Sequence, residues 1–414
     1  MVFNCRCFTF EGDGEIEHEP ITQTKSTSTK TFYTAVSDHN QLVPNFLGNA
    51  SNFLNLAEKP GNLRVFTVAE LKTATKNFCP ASKIGEGGFG SVYKGVIKSF
   101  EDPFHEIKVA VKYADGVLQG HREWVTEINV LGVVQHPNLV KLIGYCAEDN
   151  GSRTQLLLVY EFMDNSSVRH HLSTRVQTPL SWTMRLKVAQ DTARGLAYLH
   201  EQMDFQIIFR DFKSSNILLD GEWNAKLSDF GVARLGPQEG FTHISTAFAG
   251  TMKYAAPEYI EMGRLSSKSD VWSYGVFLYE LITGRRPLDG NRPQNEQKLL
   301  EWVKIYVDTK RFMLVIDSRL EGEYSLDSAQ KLSLIANCCL SRDPKSRPKM
   351  SEVLEMINQL IMEVDIMPGK VLKGGENTKH KDENNQIGAS TCVHGISPWK
   401  LLESCFKKDC CCVL

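Results

Sequence analysis

Apolar and polar positions fall into three regimes along the chain. Residues 1–64 are rich in Ser, Thr, Asn and acidic groups, densest at TKSTSTKT, and hold no sustained helical or strand period. That composition predicts a mostly disordered arm. An ordered pattern begins at Phe66, where FTVAELKTATKNF spaces its apolar residues as a helix does, and it turns strand-like through KIGEGGFGSVYKGVI and EIKVAVKYA. A five-stranded small lobe is expected from these runs. From Trp182 the apolar positions Leu186, Ala189, Ala193, Leu196 and Leu199 recur at three- and four-residue steps, predicting an amphipathic helix. VWSYGVFLYELI is apolar on nearly every side and predicts a buried one. Helical patterning ends near Glu363, after which PGKVLKGGENTKHKDENN has the composition of a solvated linker. The expected organisation is an arm at 1–64, one domain at 65–363 and a flexible tail at 364–414.

A chain of 414 residues, 42% hydrophobic and 23% charged, can bury a large core and leaves length for both flanks. A formal net charge of −2 gives no footing for nucleic acid as a partner. No apolar run is long enough to cross a bilayer. The start MVFNCRCF lacks the charged region, apolar stretch and cleavage site of a secretory signal, so the protein is expected inside the cell. Of eleven cysteines, seven lie in the flanks (Cys5, Cys7, Cys392, Cys405, Cys410, Cys411, Cys412). The other four, Cys79, Cys146, Cys338 and Cys339, have apolar neighbours. This is no disulfide framework, and the four predict small core residues.

Gly85, Gly87, Gly90 and Val92 form GxGxxGxV inside a strand-turn-strand stretch. Missing side chains there would let backbone amides approach nucleotide phosphates, with Val92 covering the adenine. The whole loop, Glu86, Gly88 and Phe89 included, is a candidate ATP site. The pattern is weak alone, since glycine-rich hairpins without a ligand recur by chance. A dinucleotide fold is disfavoured because a strand pattern, SVYKGVI, follows the glycines. The next segment strengthens the reading. VAVK, with Ala110 counted at the nucleotide, ends in Lys112, a lysine suited to the α- and β-phosphates. Glu127 lies fifteen residues on in the helical HREWVTEINVLG. Solvated charges are the plainer alternative for both, but their apolar flanks favour burial and therefore pairing.

IIFRDFKSSNILLD packs three roles into one turn: Asp211 to accept a hydroxyl proton, Lys213 to steady the γ-phosphate, and Asn216 to hold a metal ion. Asp229, thirteen residues beyond Asn216, opens DFG and is a second metal position. Between DFG and Ala256-Pro257-Glu258 lie Thr242, Ser245, Thr246 and Thr251. Phosphate on Ser245, Thr246 or Thr251 could pair with Arg210 and order the segment, the alternative being a loop that stays unmodified. Thr251 could instead contact Asp211 and Lys213, which would favour Ser/Thr over Tyr as acceptor.

From about residue 64 to 363 the chain resembles the protein kinase family. HPNLVKLIGYC, LLLVYEFM, RDFKSSNILLD, GTMKYAAPEY, SKSDVWSYGV and NRPQNEQKLLEWV resemble the plant receptor-like cytoplasmic kinases, the PBS1-like group in particular. The resemblance implies an α+β, two-lobed kinase fold, with an antiparallel β lobe and one regulatory helix above a mainly helical lobe. It implies ATP and Mg2+ (or Mn2+), protein substrates, and a non-receptor Ser/Thr kinase, expected as a monomer. It further implies upstream receptor kinases and a relay of cell-surface signals in plant defence. By the same matching Tyr160 resembles the gatekeeper, and Glu161 to Met163 the adenine-binding hinge. Asp270 resembles the acid that anchors the catalytic loop, and Arg347 the partner of Glu258. Two positions depart from the usual pattern: Phe209 stands where most kinases have His, and Lys253 where this group has Gly. The rival reading, a catalytically weak pseudokinase scaffold at the membrane, is opposed by intact Lys112, Glu127, Asp211, Asn216 and Asp229. A small-molecule kinase is disfavoured by the Ala-Pro-Glu segment.

The terminal Cys411-Cys412-Val413-Leu414 fits a CaaX box whose Leu favours geranylgeranyl on Cys411, and Cys405 and Cys410 are candidate palmitate acceptors. One lipid alone binds marginally, so the acyl cysteines with Lys407 and Lys408 would supply the second signal. An unmodified thiol-rich tail is the alternative. The expected location is the cytoplasmic face of the plasma membrane, with cytosol and nucleus as the alternative.

Overall fold

In the computed structural model, which describes residues 63–366 apart from 88, 89, 100, 101, 103, 115–117, 150, 152, 153 and 308–310, the strand-like runs form one sheet. Gly88, Phe89, the arm before residue 63, the tail beyond 366 and its Cys405, Cys410 and Cys411 lie outside the described residues. The strands are β1 (Arg64–Val65), β2 (Lys83–Gly87), β3 (Gly90–Lys98), β4 (Glu106–Ala114), β5 (Leu142–Asp149) and β6 (Thr154–Glu161). Their order is β1-β5-β6-β4-β3-β2. All neighbours are antiparallel except β1, which runs parallel to β5 with Arg64 opposite Gly144.

The expected five-stranded lobe therefore needs correcting to six. A two-residue strand carries no period, and β1 is held by side chains beyond it. Phe66 is buried, and Gly144 lets the β1 backbone close in, because a Cβ there would stand 2.0 Å from the Arg64 carbonyl oxygen. Helix α1 (Val68–Ala74) follows at once, closed by a capping box in which Thr67 Oγ1 accepts from Glu70 N and Glu70 Oε2 accepts from Thr67 N at 2.7 Å. Leu71 on its inner face is fully buried.

Helix α2 (Leu118–Leu131) crosses the other face of the sheet, pinned where Trp124 Nε1 donates to the Leu157 carbonyl at 3.1 Å. The second lobe contains α3 (Val168–Leu172), α4 (Trp182–Ala197), α5 (Pro257–Met262), α6 (Ser267–Thr283), α7 (Leu299–Val307), α8 (Leu326–Cys339) and α9 (Met350–Ile366). This lobe also holds short antiparallel pairs, β7 (Ile207–Ile208) with β10 (Arg234–Leu235), and β8 (Ile217–Leu219) with β9 (Ala225–Leu227). The apolar period from Trp182 has become α4, which starts on an N-cap from Ser181. VWSYGVFLYELI lies in α6, buried from Ser269 to Thr283. Arg185, on α4, is wholly enclosed and donates to the Leu180 and Leu281 carbonyls and to Asp317 Oδ2 at 2.7 Å. Cys146, Cys338 and Cys339 are buried, whereas Cys79 is only half-buried at the entry of the Pro80–Ser82 turn. Among the described residues no helix is long and apolar enough to cross a membrane.

Candidate active site

Asp211 stands in the loop between β7 and β8, and every donor that reaches it comes from a residue singled out by the sequence. Its Oδ2 accepts from Lys213 Nζ at 2.6 Å and from Asn216 Nδ2 at 3.3 Å, and its Oδ1 accepts from Thr251 Oγ1 at 2.6 Å. Lys213 also donates to Thr251 Oγ1 at 3.1 Å. A hydroxyl thus already sits at hydrogen-bonding distance from the Asp211 carboxylate.

The loop's shape comes from beneath. Asp270, buried on α6, accepts from the backbone amides of Phe209 and Arg210, both at 2.7 Å, and pairs with His200 Nε2 at 2.9 Å. These bonds hold Arg210 at φ 74°, in the left-handed region that side chains ordinarily avoid. Phe209 packs edge-on against Phe230, ring centroids 4.9 Å apart. An aromatic ring there fills apolar space, which a histidine is not needed to do. Arg347, also enclosed, forks onto Glu258 at 2.7 and 2.8 Å.

The second group lies across the cleft between the lobes. Lys112 on β4 donates to Glu127 Oε1 on α2 and, at 2.9 Å, to Asp229 Oδ1. Burial disfavours its ammonium, but the Asp229 and Glu127 carboxylates outweigh this and hold its pKa above the usual lysine value. Burial works the other way on Asp229, yet Lys112 keeps that carboxyl below the ordinary range. Tyr160 on β6 donates its phenol to Glu127 Oε2, and burial with the neighbouring carboxylate raises its pKa well above that of a free tyrosine. Val92 is the register partner of Lys112 across β3 and β4, while Gly85 pairs with Val92 and Gly87 with Gly90 in the hairpin. Ala110 pairs with Tyr160, so the strand edges bring these positions to one end of the sheet. Glu161 is engaged by Lys226 Nζ at 2.8 and 2.9 Å, tying the end of β6 to the second lobe, and Met163 is buried just beyond it.

Asn216 and Asp229 fit a hard divalent cation by the chemistry of their oxygen donors. Asn216 spends its side-chain nitrogen on Asp211 O and Oδ2, and its side-chain oxygen Oδ1 has no donor among the described residues.

Of the candidate modification sites, Thr246 Oγ1 lies 3.5 Å from Arg210 Nη2, and Ser245 is exposed in β11 (Ile244–Ser245), paired with β12 (Arg264–Leu265). Thr251 is engaged at Asp211, and Arg210 itself donates to Tyr259 Oη and the Ala247 carbonyl, both at 2.6 Å. Burial and the nearby Arg210 lower the Arg234 pKa, so two guanidiniums crowd this spot.

Two acids at the site escaped the sequence reading. Glu280 accepts from Tyr254 Oη at 2.7 Å and Ser214 Oγ at 3.1 Å, beneath the loop. A lone acid inside the apolar run of α6 was its signal. Glu123, one turn before Glu127, is buried with Oε2 lacking a partner among the described residues, and burial pushes its carboxyl up to about 7.

The protein kinase domain family matches residues 78–357. The Ser/Thr-protein kinase PCRK1 of Arabidopsis thaliana is 62% identical over 317 residues, 76% of either chain. PCRK2 of the same plant is 63% identical over 316 residues, covering 76% of this chain and 75% of its own. PBL35, also from Arabidopsis thaliana, is 53% identical over 306 residues, covering 72% and 61%. With its two lobes and the paired groups across their cleft, the chain belongs to the protein kinase family, among the receptor-like cytoplasmic Ser/Thr kinases of the PCRK and PBL type.

Proposed function

We propose that this kinase transfers the γ-phosphoryl group of ATP to Ser or Thr hydroxyls of proteins, with Asp211 as the base. Asp211 takes the hydroxyl proton, the freed oxygen bonds to the γ-phosphorus, and the bond to the bridging oxygen breaks as ADP leaves. Lys213 neutralises the transferring group, and Lys112, held by Glu127, orients the α- and β-phosphates. Gly85, Gly87, Gly90 and Val92 would cover the nucleotide, with Ala110, Tyr160, Glu161 and Met163 at its base. Mg2+ on Asn216 and Asp229 would supply charge neutralisation of the triphosphate. The observation that carries this reading is the Asp211 carboxylate already accepting a hydroxyl from Thr251 beside Lys213. Labelled ATP and a generic protein acceptor test it. Asp211→Asn should lower kcat by at least about 100-fold, the scale of general-base catalysis. Undiminished transfer would remove Asp211 from the role.

The finer reading is a relay. Upstream receptor kinases would phosphorylate Ser245 or Thr246, drawing the segment onto Arg210 and Arg234, while Thr251 acts as a hydroxyl anchor at Asp211. A lipid on Cys411, seconded by acyl groups at Cys410 and Cys405, would hold the kinase at the cytoplasmic face of the plasma membrane, where immune receptors signal. Retention of Cys411→Ser at the membrane would remove the prenyl anchor. Phosphopeptides compared between cells carrying wild type and Asp211→Asn would test the defence role, which fails if no defence protein changes.

A further inference from the structure

Lys253 lies in the turn Met252–Tyr254, two residues after Thr251, whose hydroxyl is bonded to Asp211. Two residues of chain span at most about 7 Å, so the Lys253 side chain is rooted close to the place where an acceptor hydroxyl must sit. Tyr254 fixes this turn from below by donating to Glu280 of α6, and Ser214 of the catalytic loop donates to the same carboxylate. Two further cations come from elements packed on this knot. Arg169 is on α3, which lies against the Ser214–Asn216 turn, and Arg286 lies two residues past Gly284, the C-cap of α6.

Lys253 and Arg286 are exposed and Arg169 is half-buried. None of the three has a hydrogen-bond or ion-pair partner among the described residues, although nearby basic groups do: Lys213 is taken by Asp211 and Arg285 by Glu296. Burial and the neighbouring Arg169 and Arg286 lower the Lys253 pKa, as expected of cations that crowd one another. Glu280 relieves them only in part, since it is buried under two donors and burial pushes its carboxyl up to about 7.

We propose that Lys253, Arg169 and Arg286 form a cationic rim beside Asp211 that selects acceptor peptides bearing an anionic side chain, a carboxylate or a phosphate, within a few residues of the acceptor hydroxyl. The inference rests on the transfer reaction and not on the relay or the membrane anchor. An anion docked on the rim gives three like charges the partner they lack, and the gain is a binding one that lowers KM more than it raises kcat.

The test uses the full-length protein with serine peptides in which each of about four positions on either side of the acceptor is Ala, Asp, phosphoserine or Arg. Aspartate at one or more positions should raise kcat/KM roughly three- to tenfold over alanine, through KM, the size expected of one or two partly exposed ion pairs. Arginine should lower it. Raising the salt to 0.5 M should shrink the ranking, because exposed charges are then screened within about 4 Å. Preference for phosphoserine without any for aspartate would assign the rim to phosphate, and preference for both to anions at large. Lys253→Glu should reverse the order so that the arginine peptide exceeds the aspartate one, a gain that a misfolded protein cannot produce. Arg286→Glu should move the ranking the same way. Equal use of Asp, phosphoserine, Ala and Arg peptides by wild type, or an unchanged order in Lys253→Glu, overturns the rim alone. Absence of transfer to every peptide overturns the transfer reading with it.

Discussion

Tyr160 and Lys112 reach the same buried carboxylate from two strands, so Glu127 fastens α2 to β6 as well as to β4. A hydrogen bond to a charged group contributes about 1.5–3 kcal/mol, and its loss here leaves part of a buried carboxylate bare. Tyr160→Phe is therefore expected to loosen the inward position of α2 and lower kcat/KM roughly tenfold or more, with faster amide exchange along α2 as the structural readout. Wild-type values for both would mean that the Tyr160 bond does not hold the helix. Glu280 gives a pH prediction. Burial raises its carboxyl to about 7 in the folded chain, from the ordinary 4.5. A folded pKa above the unfolded one means that stability is fully present below about pH 4.5 and declines as pH rises through about 7. The decline amounts to at most about 3 kcal/mol. Glu280→Gln does not titrate, so its urea midpoint should gain on that of wild type between pH 5 and 7.5. Glu123 titrates in the same window, and only the difference between the two proteins is diagnostic. A difference that stays flat with pH would show Glu280 to be ionised in the fold.

Helix α2 is positioned by contact as well as by charge. Gly231 faces it so closely that an added Cβ would stand 2.9 Å from Glu123 Cβ and 3.3 Å from Glu127 Oε1. Gly231→Ala should push α2 outward at a cost of about 1–3 kcal/mol, the usual toll of overpacking, and lower kcat/KM by roughly one to two orders of magnitude. Thermal unfolding of the helical lobe should be unchanged, and full activity would show that the helix has slack. The elements involved differ in how legible they were. The glycine hairpin, the VAVK strand, α2, α4 and α6 carry either a motif or a long apolar period, a pattern written in residues near one another in sequence. Lys112, Glu127, Asp211, Asn216 and Asp229 were readable because rigid elements keep their spacing fixed. β1 was not readable, being two residues long and defined by Gly144 far along the chain. The bonds from Tyr160 to Glu127 and from Tyr254 to Glu280 span 33 and 26 residues and follow from how two elements pack, which no local pattern encodes.

At the scale of the whole molecule, the described residues hold two apolar cores. One runs from the inner face of the sheet through α4 and α6 to α9, joining the two lobes. The other lies on the outer face of the sheet and consists of Phe66, Leu71, Val109, Val111, Cys146, Leu157 and Val159. Two of its seven members belong to the segment of β1 and α1, which precedes residue 78, where the family match begins. A protein cut at 78 therefore loses the lid of this core. Burying Phe66 and Leu71 is worth about 1.5–3 kcal/mol each. The sum is comparable with the 5–15 kcal/mol that ordinarily stabilises a whole domain. We expect a chain starting at residue 63 to fold as the full protein does and one starting at 78 to unfold at markedly lower urea. Cys146 reports the change directly. It is fully buried, and burial raises its thiol to about 12, so in the intact lobe it should resist alkylation at neutral pH. In the chain starting at 78, mass spectrometry should find the Cys146 peptide labelled within the time in which the half-buried Cys79 is labelled in both proteins. Equal protection of Cys146 in the two chains, with equal urea midpoints, would show that the sheet closes its outer face without β1 and α1, and that the domain begins where the family match does.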